Sequence, residues 1–149
     1  MNDFDFLAGS WTIHNRRLIE RLADRDDWEE FGSTAECARL FDGAANVDWN
    51  DFPTRQAKGL SLRLFDPARQ EWSIYWASNT DGILQPAVVG SFRDGVGTFH
   101  GDDTFNGRPI RVRFLWSDVA TSSPRWEQAF SADGGQTWET NWIMQFSRP

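Results

Sequence analysis

The sequence predicts a single-domain, all-β protein, folded as one closed antiparallel β-barrel of about ten strands with a short N-terminal helical turn. Short strand-prone runs recur along the chain, turn-forming residues separate them, and apolar residues alternate with polar ones within them. No long segment keeps the apolar period of a helix. The length of 149 residues fits one domain, so we assign residues 1–149 to a single barrel.

The elements follow in order from the N-terminus. Residues 3–8 are predicted as a helical turn, and residues 24–30 as a charged loop or brief helical turn between the first two strands. The ten strands are predicted at 11–21, 32–41, 45–50, 56–65, 71–79, 84–92, 96–105, 109–118, 125–132 and 138–147.

Turn signals lie between these strands. Asp-Gly and Asn-Gly pairs tolerate the positive φ angles that tight hairpins need. The signals are Asp66-Pro67, Thr80-Asp81-Gly82, Arg93-Asp94-Gly95, Asn106-Gly107 and Asp133-Gly134-Gly135.

Alternation gives several strands one apolar face, which we expect to point inward. Ten such strands without partner helices bury that face most simply by closing on themselves, which also removes exposed edges. The pattern leaves open which face points inward in strands 2, 3, 6 and 7. The apolar sets are Leu60/Leu62/Leu64 (opposite Ser61 and Arg63), Trp72/Ile74/Trp76, Ile110/Val112/Phe114/Trp116, and Trp142/Met144/Phe146 (opposite Asn141).

The net charge of −7 disfavours two classes of partner. Nucleic acids and anionic membrane surfaces are bound mainly through clustered Lys and Arg, whereas Lys58 is the only lysine here. We therefore expect neither nucleic acid nor membrane as a partner. The acidic N-terminus lacks the apolar run of a signal peptide, and the single Cys37 fits a reducing compartment. The expected location is the cytoplasm.

The segment Phe4-Asp5-Phe6-Leu7-Ala8-Gly9-Ser10-Trp11 resembles the start of the calycin superfamily, which includes lipocalins and fatty-acid-binding proteins. Together with Asp133-Gly-Gly-Gln-Thr-Trp-Glu-Thr-Asn-Trp142, it is similar to a bacterial family of small lipocalin-like proteins of unknown function. The likeness spans nearly the whole chain. It implies a barrel that binds a small apolar molecule, and a basic residue near the end of the last strand that packs over Trp11. Arg148 occupies the matching position.

Residues 131–138, Ser-Ala-Asp-Gly-Gly-Gln-Thr-Trp, fit the motif known as the Asp box in sialidases. This motif is a hairpin device: Ser and Asp bond the turn backbone, Gly supplies the torsions, and Trp packs beneath. Sialidases are longer chains that carry several copies, so one copy predicts a pinned hairpin rather than sialidase activity.

The predicted function is the binding of one small, largely apolar or aromatic molecule in the barrel interior. Aromatic walls supply affinity and a few inward polar groups set the orientation. Arg17 is expected to pair with a carboxylate of the ligand, or with an internal acid such as Glu36 or Asp103. The candidate ligand-binding residues are Asn15, Arg17, Trp72, Trp76, Phe99, Phe114, Trp116, Gln128, Thr140, Trp142 and Met144.

Two alternatives remain open. The first is an isomerase, cyclase or hydratase with Asp103 or His100 as its acid–base group, since Asp103 shares a face with Phe99 and Phe105 and burial would raise its pKa. The second is a solidly packed barrel whose outer face serves self-association as a two-fold dimer.

We expect no metal and no cofactor. Cys37, His14 and His100 lack the spacing of metal ligands. A haem-binding branch of calycin-like barrels uses a histidine near the C-terminal strands, but this chain has no histidine after His100. A serine triad is disfavoured because no Gly-x-Ser-x-Gly elbow is present, and Cys37 is expected to be a buried, unreactive thiol.

Overall fold

The computed structural model describes residues 1–149 and forms one closed barrel of ten antiparallel strands. Consecutive strands are neighbours throughout, and β1 also pairs with β10, so the predicted all-β fold class is confirmed. The strands are β1 Gly9–Leu18, β2 Trp28–Leu40, β3 Ala45–Phe52, β4 Ala57–Asp66, β5 Glu71–Ser78, β6 Val88–Arg93, β7 Val96–Phe105, β8 Arg108–Ser117, β9 Arg125–Ser131 and β10 Glu139–Ser147.

Three short 3₁₀ helices complete the chain, at Asp5–Leu7, Phe41–Gly43 and Pro53–Arg55. The first lies within the predicted N-terminal turn, whereas the other two, at the β2–β3 and β3–β4 hairpins, were not predicted. None of the helices is long and apolar enough to cross a bilayer.

The observed strand boundaries depart most from the predicted ones at the starts of β2 and β6. β2 begins at Trp28, inside the segment predicted as a charged loop, because residues 28–31 pair with the end of β1. β6 begins four residues later than predicted, since Pro86 cannot donate a ladder hydrogen bond. Of residues 84–87, only Leu84 forms an isolated bridge, with Ala77.

The structure defines the inward faces that alternation left open. Inward positions in β2 carry Phe31, Ser33, Ala35 and Cys37, and those in β3 carry Asn46, Asp48, Asn50 and Phe52. In β6 and β7 the buried Val88 and Phe99 mark the inward faces. The interior is therefore polar along β3 and largely apolar along the strands across the barrel from it.

The predicted orientation of β4 is wrong. Leu60, Leu62 and Leu64 face outward, whereas Ser61 and Arg63 are buried inside the barrel. At the inward-facing Gly59, the ring of Trp76 reaches across from β5 and leaves no room for a side chain. A methyl group added at Gly59 would overlap that ring.

Aromatic rings fill the barrel end at which β1 begins, which we call the closed end. Phe4 from the N-terminal segment is almost fully buried and lies edge-to-face against Trp72, with ring centroids 5.0 Å apart. It also contacts Phe92 at 4.9 Å and Phe99 at 5.7 Å. Trp72 donates its indole N–H to Asp3 at 3.0 Å. The N-terminal segment therefore acts as a plug of this end.

Arg148 closes the same end from outside. Its guanidinium carbon lies 3.6 Å from the centroid of the Trp11 ring, and it donates hydrogen bonds to the carbonyls of Ala8 and Ser10. Trp11 in turn donates its indole N–H to the carbonyl of Leu7 at 2.8 Å. The contact predicted from the resemblance is thus confirmed for this pair.

Candidate functional site

An interior cavity of about 80 Å³ lies in the barrel above the aromatic plug. Twelve of its seventeen lining residues are hydrophobic, so the wall is mainly apolar. A volume of this size has room for roughly two or three water molecules. The barrel is therefore neither an open tube nor completely filled by its own side chains.

One wall of the cavity is polar. Arg63 of β4 pairs with Asp48 of β3 at 2.7 Å and donates a hydrogen bond to Asn46 at 3.0 Å. Asn50 donates to the other carboxylate oxygen of Asp48 at 2.7 Å. Asp48, Asn50, Ser61 and Arg63 all line the cavity, and we call these four residues the polar strip.

The opposite wall is aromatic. Trp126 packs edge-to-face against Phe114 and Trp142, with centroid separations of 5.0 and 5.5 Å. Six of the predicted ligand-binding residues line the cavity: Trp76, Phe114, Trp116, Gln128, Trp142 and Met144. The structure therefore brings these six together around one space, five of them on β8–β10 across from the polar strip and Trp76 on β5 beside it.

Five of the eleven predicted ligand-binding residues do not line the cavity, and two of these lie deeper in the barrel. Trp72 and Phe99 are fully buried in the closed end and do not line the cavity. Their inward orientation is as alternation predicts, but the N-terminal segment covers them. Phe4 occupies the space that a guest would need.

Asn15 holds the Trp142 side chain of the aromatic wall in place. It is fully buried, accepts a hydrogen bond from the indole N–H of Trp142 at 2.9 Å, and donates to the hydroxyl of Ser33 at 2.8 Å. It does not line the cavity. Its action on the site is therefore to orient Trp142.

The predicted inward position of Thr140 is wrong. An irregularity in the pairing of β10 with β9 lies between Thr140 and Trp142, and it breaks the two-residue alternation. Thr140 pairs with Ala129 on the outer face. Asn141 takes the inward position instead, where it is fully buried and accepts a hydrogen bond from Gln128 at 2.9 Å.

Three arginines gather at the barrel end opposite the plug, and each stacks on an aromatic ring. Arg17 lies 4.5 Å from the centroid of Trp142, Arg21 lies 5.3 Å from Phe105, and Arg55 lies 4.2 Å from Phe31. We call Arg17, Arg21 and Arg55 the mouth cluster. Trp142 belongs to both regions, because it lines the cavity and supports Arg17.

The electrostatics of the mouth cluster are dominated by burial and by mutual repulsion. Burial, followed by the charges of Arg21 and Arg55, lowers the pKa of Arg17 to about 10, while Glu29 opposes the shift. Burial is also the main cause that lowers the pKa of Arg21. Arg17 remains a cation at neutral pH, in an environment that disfavours its charge.

The two candidate acid–base residues do not meet at the cavity. His100 lies on the outer face of β7, where its ring packs 5.6 Å from that of Trp138. Burial, then the charges of Arg111 and Arg113, lowers its pKa. Asp103 lies on the inward face and accepts a hydrogen bond from the backbone N–H of Thr104 at 2.8 Å. Neither residue lines the cavity.

Cys37 is buried on the inward face of β2 and lines the cavity. Burial raises the pKa of its thiol to about 11, with Asp48 adding to the rise and Arg63 opposing it. The thiol is therefore protonated at neutral pH, and a protonated thiol is a poor nucleophile.

The hairpin between β9 and β10 has the geometry that its motif predicts. Ser131 donates to Asp133 at 2.7 Å, and the hydroxyl of Thr137 donates to the same carboxylate at 2.6 Å. These hydrogen bonds, led by that from Thr137, hold the pKa of Asp133 well below its usual range. Trp138 lies on the outer face, 4.7 Å from the guanidinium of Arg113. The predicted role as a hairpin device is confirmed.

Sequence reasoning missed the polar strip. The leucines of β4 form the more apolar set, so alternation assigned Ser61 and Arg63 to solvent. A usable signal lies in β3, where Asn46, Asp48 and Asn50 alternate with Val47 and Trp49. A buried arginine requires a buried acid, and these strands are the neighbours that supply the pair.

No model of a known protein family matches the sequence, and a search of curated proteins finds no relative.

Proposed function

We propose that this protein is a calycin-like barrel that binds one small, largely apolar molecule in its interior. The observation that carries the proposal is the cavity itself, with an aromatic wall facing a polar strip inside one closed barrel. Small-molecule sites typically combine apolar lining with a few polar groups that fix orientation. The aromatic wall would supply affinity, and the polar strip would orient the guest.

Two N–H groups on cavity-lining side chains favour a guest that carries a hydrogen-bond acceptor. Nε of Arg63 and Nε1 of Trp116 are buried and have no acceptor in the protein. Buried N–H groups are almost always hydrogen-bonded, because desolvation without a partner costs about 1–3 kcal/mol. A guest with a carbonyl, hydroxyl or carboxylate oxygen would suit this lining.

The cavity volume limits the guest. An apolar cavity of ~150 Å³ accommodates benzene, and the space here is about 80 Å³. A guest of a few non-hydrogen atoms fits directly, whereas an aromatic ring requires a lining side chain to change its rotamer. Among the partly buried aromatic residues of the lining, Trp76 is a candidate for that movement, because no hydrogen bond holds its indole, whereas Asn15 holds that of Trp142.

Filling the cavity is expected to abolish binding. Ala35 faces inward and lines the cavity, so Ala35→Leu places three additional carbon atoms in the space that the guest requires. Ala38→Leu adds the same atoms on the outer face of the same strand and serves as the control. The probes are 1-butanol and phenol, followed by amide chemical shifts in NMR titrations and by tryptophan fluorescence.

We expect saturable shifts around the cavity in the wild-type protein and in Ala38→Leu. The affinity of Ala35→Leu should fall by at least tenfold, while circular dichroism confirms that the variant is folded. Shifts confined to the outer surface, or equal affinities for the two leucine variants, would contradict binding in the interior.

The outer face of the sheet favours self-association as a second candidate function. Trp49, Leu60, Ala77 and Leu84 form one row across the sheet from β3 through β5 to the bridge at Leu84, and Trp49 is 52% exposed. A second row of Val47, Leu62 and Tyr75 lies beside it. At strand spacing the two rows cover roughly 230 Å². This area suits the apolar core of a standard interface, which buries ~800 Å² per partner.

A second copy of this chain is the expected occupant, because a two-fold contact would lay the uncharged rows of one copy against those of the other. We expect light scattering to give a dimer mass for the wild-type protein and a monomer mass for Leu60→Lys. Thr12→Lys adds the same charge on the outer face of β1 and should leave the dimer intact. A monomer mass for the wild-type protein at 0.5 mM refutes this candidate.

A further inference from the structure

The mouth cluster contains more positive charge than its acidic neighbours neutralise. Glu29 forms an ion pair with Arg55. Glu139 accepts a hydrogen bond from the backbone N–H of Leu22 at 2.7 Å. Arg21 forms no ion pair and donates only to the carbonyl of Leu18. Arg17 forms no ion pair and no hydrogen bond with any residue of the chain, and its Nε is buried without an acceptor.

The acids suggested as internal partners of Arg17 are engaged elsewhere. Glu36 accepts a hydrogen bond from Ser10 at 2.9 Å, and Asp103 accepts its bond from Thr104. Arg63, which likewise lies in the interior, pairs with the carboxylate of Asp48 at 2.7 Å. Buried arginines are normally paired in this way. Arg113 also has a buried Nε without an acceptor, but it lies on the outer face over Trp138. At the barrel mouth, Arg17 is the cation available to a partner from outside the chain.

The position of Arg17 relates this cation to the cavity. Its guanidinium stacks on Trp142, and Trp142 lines the cavity. Asn15 fixes the indole of Trp142 by a hydrogen bond, so the platform under the guanidinium is rigid. Arg17 is only partly buried, and a solute at the barrel mouth can therefore reach it.

We infer that the mouth cluster binds the carboxylate of a small organic acid whose apolar part occupies the cavity, with Arg17 as the principal partner. This inference rests on the proposed interior binding and specifies its ligand class. A guanidinium presents two parallel N–H groups that match the two oxygens of a carboxylate. Three arginines beside two glutamates leave one positive charge to balance, which suits a monoanion.

Matched acids and amides test the inference. Acetate and acetamide carry the polar group with almost no apolar part, so they probe the mouth cluster alone. Butyrate and butyramide add an apolar part for the cavity. Binding is followed by isothermal titration calorimetry at low ionic strength, with the wild-type protein and the variants Arg17→Gln, Arg17→Lys and Arg16→Gln. Arg16 precedes Arg17 in the same strand but stacks on Trp28 at the outer face, so it is the matched control.

We expect butyrate to bind the wild-type protein at least tenfold more tightly than butyramide, since a charge-assisted pair is worth about a factor of ten or more. Arg17→Gln should remove that preference and leave butyramide binding within twofold. Arg17→Lys keeps the charge but loses the paired N–H groups, and it should retain part of the preference. Arg16→Gln should bind all four probes like the wild-type protein.

Three outcomes would contradict the inference, and they differ in whether the proposed interior binding survives. Equal affinities for acid and amide in the wild-type protein, or equal loss of both in Arg17→Gln, would overturn the anion site while leaving interior binding intact. Acetate that binds through Arg17 without any gain for butyrate would show an anion site unconnected to the cavity, and would overturn the inference as stated. No binding of any probe to the folded wild-type protein would overturn both the inference and the proposed function.

Discussion

Asp48→Asn is expected to lower the free energy of unfolding by about 3–5 kcal/mol, because it leaves the buried guanidinium of Arg63 without its counter-charge. Both side chains of the pair are almost completely buried, at 5% and 10% exposure. Arg63 also lies 5.2 Å from the centroid of Phe4 and 5.7 Å from that of Trp116. Urea unfolding measured by tryptophan fluorescence gives the change.

An exposed pair of the same residue types supplies the control. Arg111 and Asp102 are 2.9 Å apart, and the Asp102 side chain is 83% exposed. Surface pairs contribute ~0–1 kcal/mol, so Asp102→Asn should change stability little. Adding Arg63→Met to Asp48→Asn should recover a large part of the loss, because the uncompensated charge is then removed. Equal effects of Asp48→Asn and Asp102→Asn would show that the interior pair is hydrated.

Trp11→Ala is expected to destabilise the fold by about 3–5 kcal/mol, the usual range for removing a large buried aromatic side chain. The ring is 4% exposed, packs edge-to-face against Phe146 at 5.7 Å, and carries Arg148 on one face. The substitution also removes the hydrogen bond to the carbonyl of Leu7, so the 3₁₀ helix that carries the plug loses an anchor. Thermal and urea unfolding measure the loss.

Trp49→Ala is the matched control for this substitution. Trp49 has the same side chain on the outer face of β3, and half of its surface is in water. In the Leu60→Lys background, which keeps the chain monomeric, its removal should therefore cost no more than about 1 kcal/mol. A loss below 1 kcal/mol for Trp11→Ala itself would mean that the ring contributes little to the core and that Arg148 does not seal the closed end.

The fold could be predicted from the sequence because the signals for its turns and for its strand faces are local. Asp94-Gly95 and Asn106-Gly107 fix tight turns, and apolar alternation in β8 and β10 marks faces that really are buried. Trp76, Phe114, Trp116, Trp142 and Met144 were placed at the cavity on this basis. Ten alternating strands without helices to cover them left closure as the simplest solution.

The sequence-based predictions fail where contacts with residues distant in the sequence override the local alternation. The β4 leucines satisfy alternation, yet they face outward, and the inward positions of the strand carry Gly59, Ser61 and Arg63. The irregularity in β10 reverses the orientation of Thr140, and no turn residue announces it. Trp72 and Phe99 point inward as expected, but Phe4 reaches them from the far end of the sequence. Such contacts depend on tertiary geometry, which a single sequence does not display.

The seam between β1 and β10 has a consequence for how the molecule folds. Arg148 bonds the carbonyl of Ser10, 138 positions earlier in the chain, and closing so long a loop costs entropy before any contact offsets it. Until the seam forms, β1 and β10 are both free sheet edges, the kind of surface on which chains aggregate. The enclosed interior therefore forms only when β1 pairs with β10. The rate of this pairing determines how long the unclosed sheet can associate with other copies of the chain.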